Sequence, residues 1–293
     1  MRSSNPVFSR ADGFNGRGSA SGMSYPTQGS PQYAPPAPQY GGQQYGGPTG
    51  GAPTGYAPAS TERMTIDSVV QKTGLTLGVV VVVAVATWFL TGPITDPQAL
   101  TTLYTLSMVG ALGGFALSMV NSFKRVVSPG LVLAYAALEG IFVGAFSKAM
   151  EAQFGSGDGT GLVMGAVAGT FAAVAGTLAA YKFFDIKVGQ KFRTWVVAAM
   201  FGFVAVSLLD FVLGFFSADI GVNGFGGMGL VMSLVGLGLG VLMLILDFDF
   251  VERGVAAGLP ERESWRAAFG LTVTIIWIYI ELLRILAILR GND

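Results

Sequence analysis

The chain has 293 residues, 52% of them hydrophobic and 12% charged, with a mean hydropathy of +0.59, whereas soluble domains carry roughly 25% charged residues. Lys+Arg and Asp+Glu balance at 17 each, so there is no basic stripe for a nucleic acid. Cys and His are both absent, which removes disulfides, thiol nucleophiles, Cys/His zinc sites and imidazole acid–base chemistry; no enzyme and no cofactor are expected.

Residues 1–62 hold most of the thirteen prolines, with Tyr25, Tyr33, Tyr40, Tyr45 and Tyr56 spaced among Gly, Gln, Ser and Pro. The block has no apolar periodicity and cannot bury enough surface to offset the entropy of ordering. It reads as a disordered tail preceding a membrane domain over 63–293. No apolar stretch follows Arg2 and Arg10, so no cleavable signal is expected.

Seven apolar segments follow, over about 75–90, 101–120, 130–149, 161–183, 194–216, 225–246 and 267–289. A bilayer core takes about 20 residues of helix. In lipid only helices or closed barrels satisfy their backbone, and the lengths and the lack of alternation exclude a barrel. The predicted fold is all-α, a bundle of seven membrane spans. Lys124 and Arg125, then Lys182, Lys187, Lys191 and Arg193, then Arg253, Arg262 and Arg266 fall in alternate loops, on the same side as the tail. By the positive-inside rule the N-terminus is cytoplasmic and the short C-terminus outside. Gly110/Gly114, Gly140/Gly144, Gly161/Gly165/Gly169 and Gly236/Gly240 repeat at four-residue spacing, which lets helix backbones approach closely.

The informative residues are the acids inside these spans, because a carboxylate in hydrocarbon costs several kcal/mol unless protonated, paired or wet. They are Glu139 in the third span, Asp210 in the fifth, Asp247 and Asp249 closing the sixth, and Glu281 in the seventh. Asp247 and Asp249 are two apart and cannot share a helix face, so one is expected to point inward and the other toward the headgroups. Glu281 has Arg284 three residues on, on the same face. The acids are expected to line a partly hydrated path for protons or cations. Gly224-Phe-Gly-Gly-Met-Gly229 has dinucleotide-motif spacing, but it precedes a membrane helix and lacks the βαβ context.

Leu244-Ile-Leu-Asp-Phe-Asp-Phe-Val251, Trp277-Ile-Tyr-Ile-Glu-Leu-Leu-Arg-Ile-Leu-Ala-Ile288 and Leu138-Glu-Gly140 after Lys124-Arg125 resemble the Bax inhibitor-1/YccA-like family, and Arg2-Ser-Ser-Asn-Pro-Val7 with the long tail is similar to its actinobacterial members. The resemblance implies a bacterial plasma-membrane protein with seven spans and a central last helix. It also implies a pH-sensitive calcium leak in which two acids, matching Asp247 and Glu281 here, share a proton and gate the path. A basic residue after the second helix maps to Lys124 or Arg125. This chain departs from the pattern in carrying Glu as the second acid and in a longer, charged sixth–seventh linker over 250–266. By helix rise Asp247 and Glu281 then differ in depth by roughly 10 Å, and they meet only if the start of the last helix lies flat in the interface. Asp210 is the substitute partner for Glu281. Calcium prefers six to eight oxygen ligands, so weak permeation is expected rather than a tight site. The alternative is a non-transporting modulator that binds another membrane protein, such as a quality-control protease.

Overall fold

The computed structural model describes residues 62–92, 97–155, 161–218 and 220–291; the expectation of a disordered tail lies, but for its last residue, outside them. Seven helices follow in order: α1 (Ile66–Leu90), α2 (Pro97–Phe123), α3 (Pro129–Phe154), α4 (Gly161–Phe183), α5 (Gln190–Gly214), α6 (Gly227–Ala256) and α7 (Glu263–Gly291). Each is long and apolar enough to cross a membrane, and the chain is a seven-helix membrane protein. The extended pairing among the described residues is one isolated bridge, Arg63 with Pro260.

The helix ends follow local chemistry. Thr65 caps α1 reciprocally: its side chain accepts from the Ser68 N–H and the Ser68 side chain accepts from the Thr65 N–H, each at 3.1 Å, which satisfies orphan donors of the first turn. Proline opens α2 and α3, where its missing N–H costs nothing. The charged stretch 250–266 is not a linker, as its composition suggested. α6 runs on to Ala256 and α7 begins at Glu263, so the turn is only residues 257–262. The Asp249–Arg253 pair, one turn apart at 2.8 Å, supports the extension.

α7 is the shared neighbour. It packs against α1, α3, α4 and α6, whereas α2 lies mainly on α3 and α5 mainly on α6, with Phe203 of α5 reaching the Trp277 ring of α7 at 5.3 Å. Leu283, Ile278, Ala287 and Ile288 of α7 are essentially inaccessible. The four-residue glycine spacing serves this packing. A Cβ on Gly110 would stand 2.6 Å from the Phe142 backbone nitrogen, and one on Gly144 would stand 2.8 Å from the Ala84 Cα. Backbone cannot yield as a flexible side chain does, so Gly144→Ala should cost about 1–3 kcal/mol by forcing α1 and α3 apart. Gly176, whose Cβ would meet nothing within 4 Å, is the control. Thermal unfolding in detergent should leave Gly176→Ala at or above the parent and Gly144→Ala well below it.

The basic turns share one end of the bundle. Lys72 forms an ion pair with Glu261, Arg266 donates to the Arg125 carbonyl at 2.6 Å, and Arg253 donates to the Val188 carbonyl. The residues before α1 join the same end: the Met64 N–H donates to the Leu259 carbonyl at 2.7 Å and the Glu261 N–H to the Glu62 carbonyl at 2.9 Å.

Candidate functional site

Asp247 lies on the inner face of α6, half-buried, where it accepts a hydrogen bond from the Thr274 hydroxyl of α7 at 2.6 Å. Gly270, one turn before Thr274, leaves the space beside its carboxylate. That space is part of a vestibule of about 310 Å³ at the basic end, bordered by Asn121, Ser122, Asp247, Arg266 and Gly270. Among the described residues the buried Asn121 amide oxygen has no hydrogen-bond partner. Arg266 stands in the same vestibule and is held there by the Lys124 and Arg125 carbonyls and by Glu263 at 3.2 Å. Lys124 and Arg125 thus contribute backbone, and their side chains are exposed.

Glu281 is 4% exposed and lies two turns further along α7. Its carboxylate rests on Gly236 of α6, where any Cβ would meet it at 2.7 Å. The carbonyl of the same glycine accepts from the Trp277 indole at 3.0 Å. Arg284 pairs with Glu281 at 3.5 Å and donates onward to the Val222 carbonyl at 3.2 Å. The structure does not bring Asp247 and Glu281 together. Thr274 and Glu281 are seven residues apart on α7, and Gly236 and Asp247 are eleven apart on α6, so the carboxylates sit roughly 10–16 Å apart along the bundle. α7 enters as one continuous helix from Glu263, with no separate segment to bridge that gap.

Asp210 does not meet Glu281 either. It is 3% exposed and accepts backbone N–H bonds from Ile220 at 2.6 Å, Gly221 at 3.1 Å and Asn223 at 2.8 Å. The α5–α6 turn is therefore held from two sides, its N–H groups by Asp210 and its carbonyls by Arg284. Gly221, at φ +82°, takes a backbone conformation open to glycine. Asp210→Ala would strand three donors, and a buried donor without a partner costs about 1–3 kcal/mol. A loss of roughly 3 kcal/mol or more is expected in detergent unfolding, with Asp210→Asn intermediate because it keeps one acceptor oxygen.

Asp249 does not face the headgroups. It is 5% exposed and lies between Arg193 of α5 at 3.1 Å and Arg253 at 2.8 Å, joining the start of α5 to α6. Of Asp247 and Asp249 it is the one neutralised by cations; among the described residues Asp247 has a hydroxyl alone. Glu139 is half-buried at the α2–α3 seam, against Gly114, where a Cβ would meet its carboxylate oxygen at 2.9 Å, with Tyr135 beside it. It touches neither Asp247 nor Glu281.

A family model described as Bax inhibitor 1 like matches residues 5–291, nearly the whole chain. The chain belongs to the Bax inhibitor 1 like family. No curated protein matches it.

Two buried ionic residues of this Bax inhibitor 1 like bundle were not singled out by the sequence reading. Lys148, 6% exposed, donates to the Trp88 carbonyl at 2.7 Å and to the Thr91 carbonyl at 2.6 Å; it closes the C-terminal end of α1, whose last carbonyls have no helical partner. Glu151, 5% exposed, accepts from the Val163 N–H at 3.0 Å and closes the N-terminal end of α4, where negative charge is favoured. Both lie near the end of a span, where charge reads as headgroup contact. Their i, i+3 spacing was the available signal. Asp210, Lys148 and Glu151 thus serve backbone ends. Among the acids singled out from the sequence, Asp247 is the one that faces a vestibule.

Proposed function

We propose that the chain is a pH-sensitive cation leak with Ca²⁺ as the permeant ion, lying in the bacterial plasma membrane with the basic end on the cytoplasmic side. The observation that carries this reading is the vestibule at the basic end that reaches Asp247, a carboxylate with no cationic partner among the described residues, inside a membrane bundle. Such a group is retained at a cost. Ionised, it attracts a cation; protonated, it does not. The vestibule offers one carboxylate, one unpartnered amide oxygen and a serine, fewer oxygens than the six to eight a tight calcium site needs. That donor set suits passage rather than storage. Arg266 at the same mouth opposes cation entry, so its position sets how readily the vestibule fills.

The test is Ca²⁺ flux into dye-loaded vesicles containing the purified full chain, measured against pH. A pH-dependent flux supports the leak. No flux at any pH, with another membrane protein co-purifying tightly, supports the modulator instead. Orientation is tested separately, in a chain that has no native cysteine. Cysteines placed at Ser122, Gly189 and Ala257 should resist an impermeant thiol reagent in intact cells, and one at Phe216, exposed at the other end, should react. The reverse pattern would overturn the orientation.

A further inference from the structure

α1 and α4 both lie on α7 and α3, yet they do not pack against each other. The gap between them is a groove of about 470 Å³, floored by Val143 and Ser147 of α3 and by Ile276 and Tyr279 of α7. Along α1 it runs from Leu77 to Phe89 and along α4 from Val163 to Val174, about 18 Å by helix rise. α1 begins at the basic end and α4 finishes there, so the groove occupies the half of the bundle away from that end. Trp88 borders its outer mouth, where aromatic residues sit at headgroup level.

The groove wall is almost wholly apolar. The Ser147 and Tyr279 hydroxyls are bonded to each other at 2.7 Å, and the Thr170 hydroxyl donates to the Ala166 carbonyl at 2.7 Å. It opens sideways between two membrane spans, so the phase it faces is hydrocarbon. A single flexible hydrocarbon chain matches that phase, and the groove, about 18 Å long, is slightly longer than one leaflet is deep, about half of a 30 Å core. We propose that this groove holds one acyl chain of a phospholipid from the leaflet opposite the basic end.

Native mass spectrometry of the full chain, washed extensively in mild detergent, tests this. Val167→Trp and Met164→Trp fill the groove from its α4 wall, and Leu208→Trp on the exposed face of α5 is the control. The parent and Leu208→Trp should each retain one phospholipid, and the groove variants, at unchanged melting temperature, should retain at least about fivefold less. A parent without a retained phospholipid, retention of a free fatty acid instead, or equal retention by folded groove variants would overturn the proposal. A second measurement needs no variant. A phosphatidylglycerol with a mid-chain diazirine, photolysed in vesicles with the parent, should label the floor residues Ser147 and Tyr279. Labelling confined to exposed faces such as that of α5 would refute it.

Discussion

Asp247→Asn should flatten the pH dependence of Ca²⁺ flux, while Glu281→Gln should lower stability and leave the shape of the curve intact. Asn has the size of the carboxyl and is fixed in the uncharged state, so a vestibule ending on it carries the same charge at every pH. The Thr274 hydroxyl that Asp247 accepts retains an acceptor in the amide oxygen, which keeps the local packing. Glu281 sits differently, tied to Arg284 and through it to the α5–α6 turn. Removing one partner of a buried pair leaves an uncompensated charge and costs about 3–5 kcal/mol. The double variant Glu281→Gln/Arg284→Gln should therefore lose less stability than the sum of the singles. Flux against pH, with melting temperature on the same preparations, separates the two residues. If a folded Glu281→Gln flattens the curve as Asp247→Asn does, the acids act as one unit despite their separation. If neither alters it, Asp247 is not the pH-sensing group.

Lys148→Met is expected to destabilise the bundle by about 3 kcal/mol, comparable with the loss of a buried charged hydrogen-bonding group. Met matches the length of the stem, so side-chain volume is kept while the donors, and the ammonium 5.9 Å from the Trp88 ring, are lost. The Trp88 and Thr91 carbonyls, together with the Thr91 hydroxyl at 2.9 Å, would then end α1 without the cation that serves them. Lys148→Arg should fall between Met and the parent, because it keeps the charge but must fit a planar head into a closed site. Thermal unfolding in detergent is the measurement. Equal melting of all three would show that solvent or headgroups take over the carbonyls.

The spans and the central place of the last helix were legible because both rest on strong signals, hydropathy sustained over a bilayer's thickness and a family pattern. The far end of α6 was not. Asp249, Glu252 and Arg253 lower hydropathy as a loop would; the Asp249–Arg253 pair one turn apart was readable locally, but Arg193 reaching Asp249 from 56 residues away is invisible to any local window. The acids were found as a set but not sorted. Sorting needs to know what each carboxylate faces: three backbone N–H groups for Asp210, two guanidinium groups for Asp249, a single hydroxyl and open space for Asp247. The depth difference between Asp247 and Glu281 did follow from helix rise, because rise per residue does not depend on tertiary context. Lys148 and Glu151 were missed for the converse reason, that what each one serves belongs to another helix.

The place of α7 among its neighbours has a consequence for biogenesis. Chains emerge from the ribosome N-terminal end first, yet α1, α3, α4 and α6 all pack on the helix synthesised last of the seven. Until α7 arrives, the earlier spans can form only partial assemblies, such as α2 with α3 and α5 with α6, while the faces they will turn toward α7 lie bare. Asp247 waits for Thr274 and Gly236 waits for Trp277. A nascent chain stopped anywhere before residue 263 would thus present unfinished surfaces to whatever factors survey the membrane, and release of the last span is the step at which those surfaces are covered.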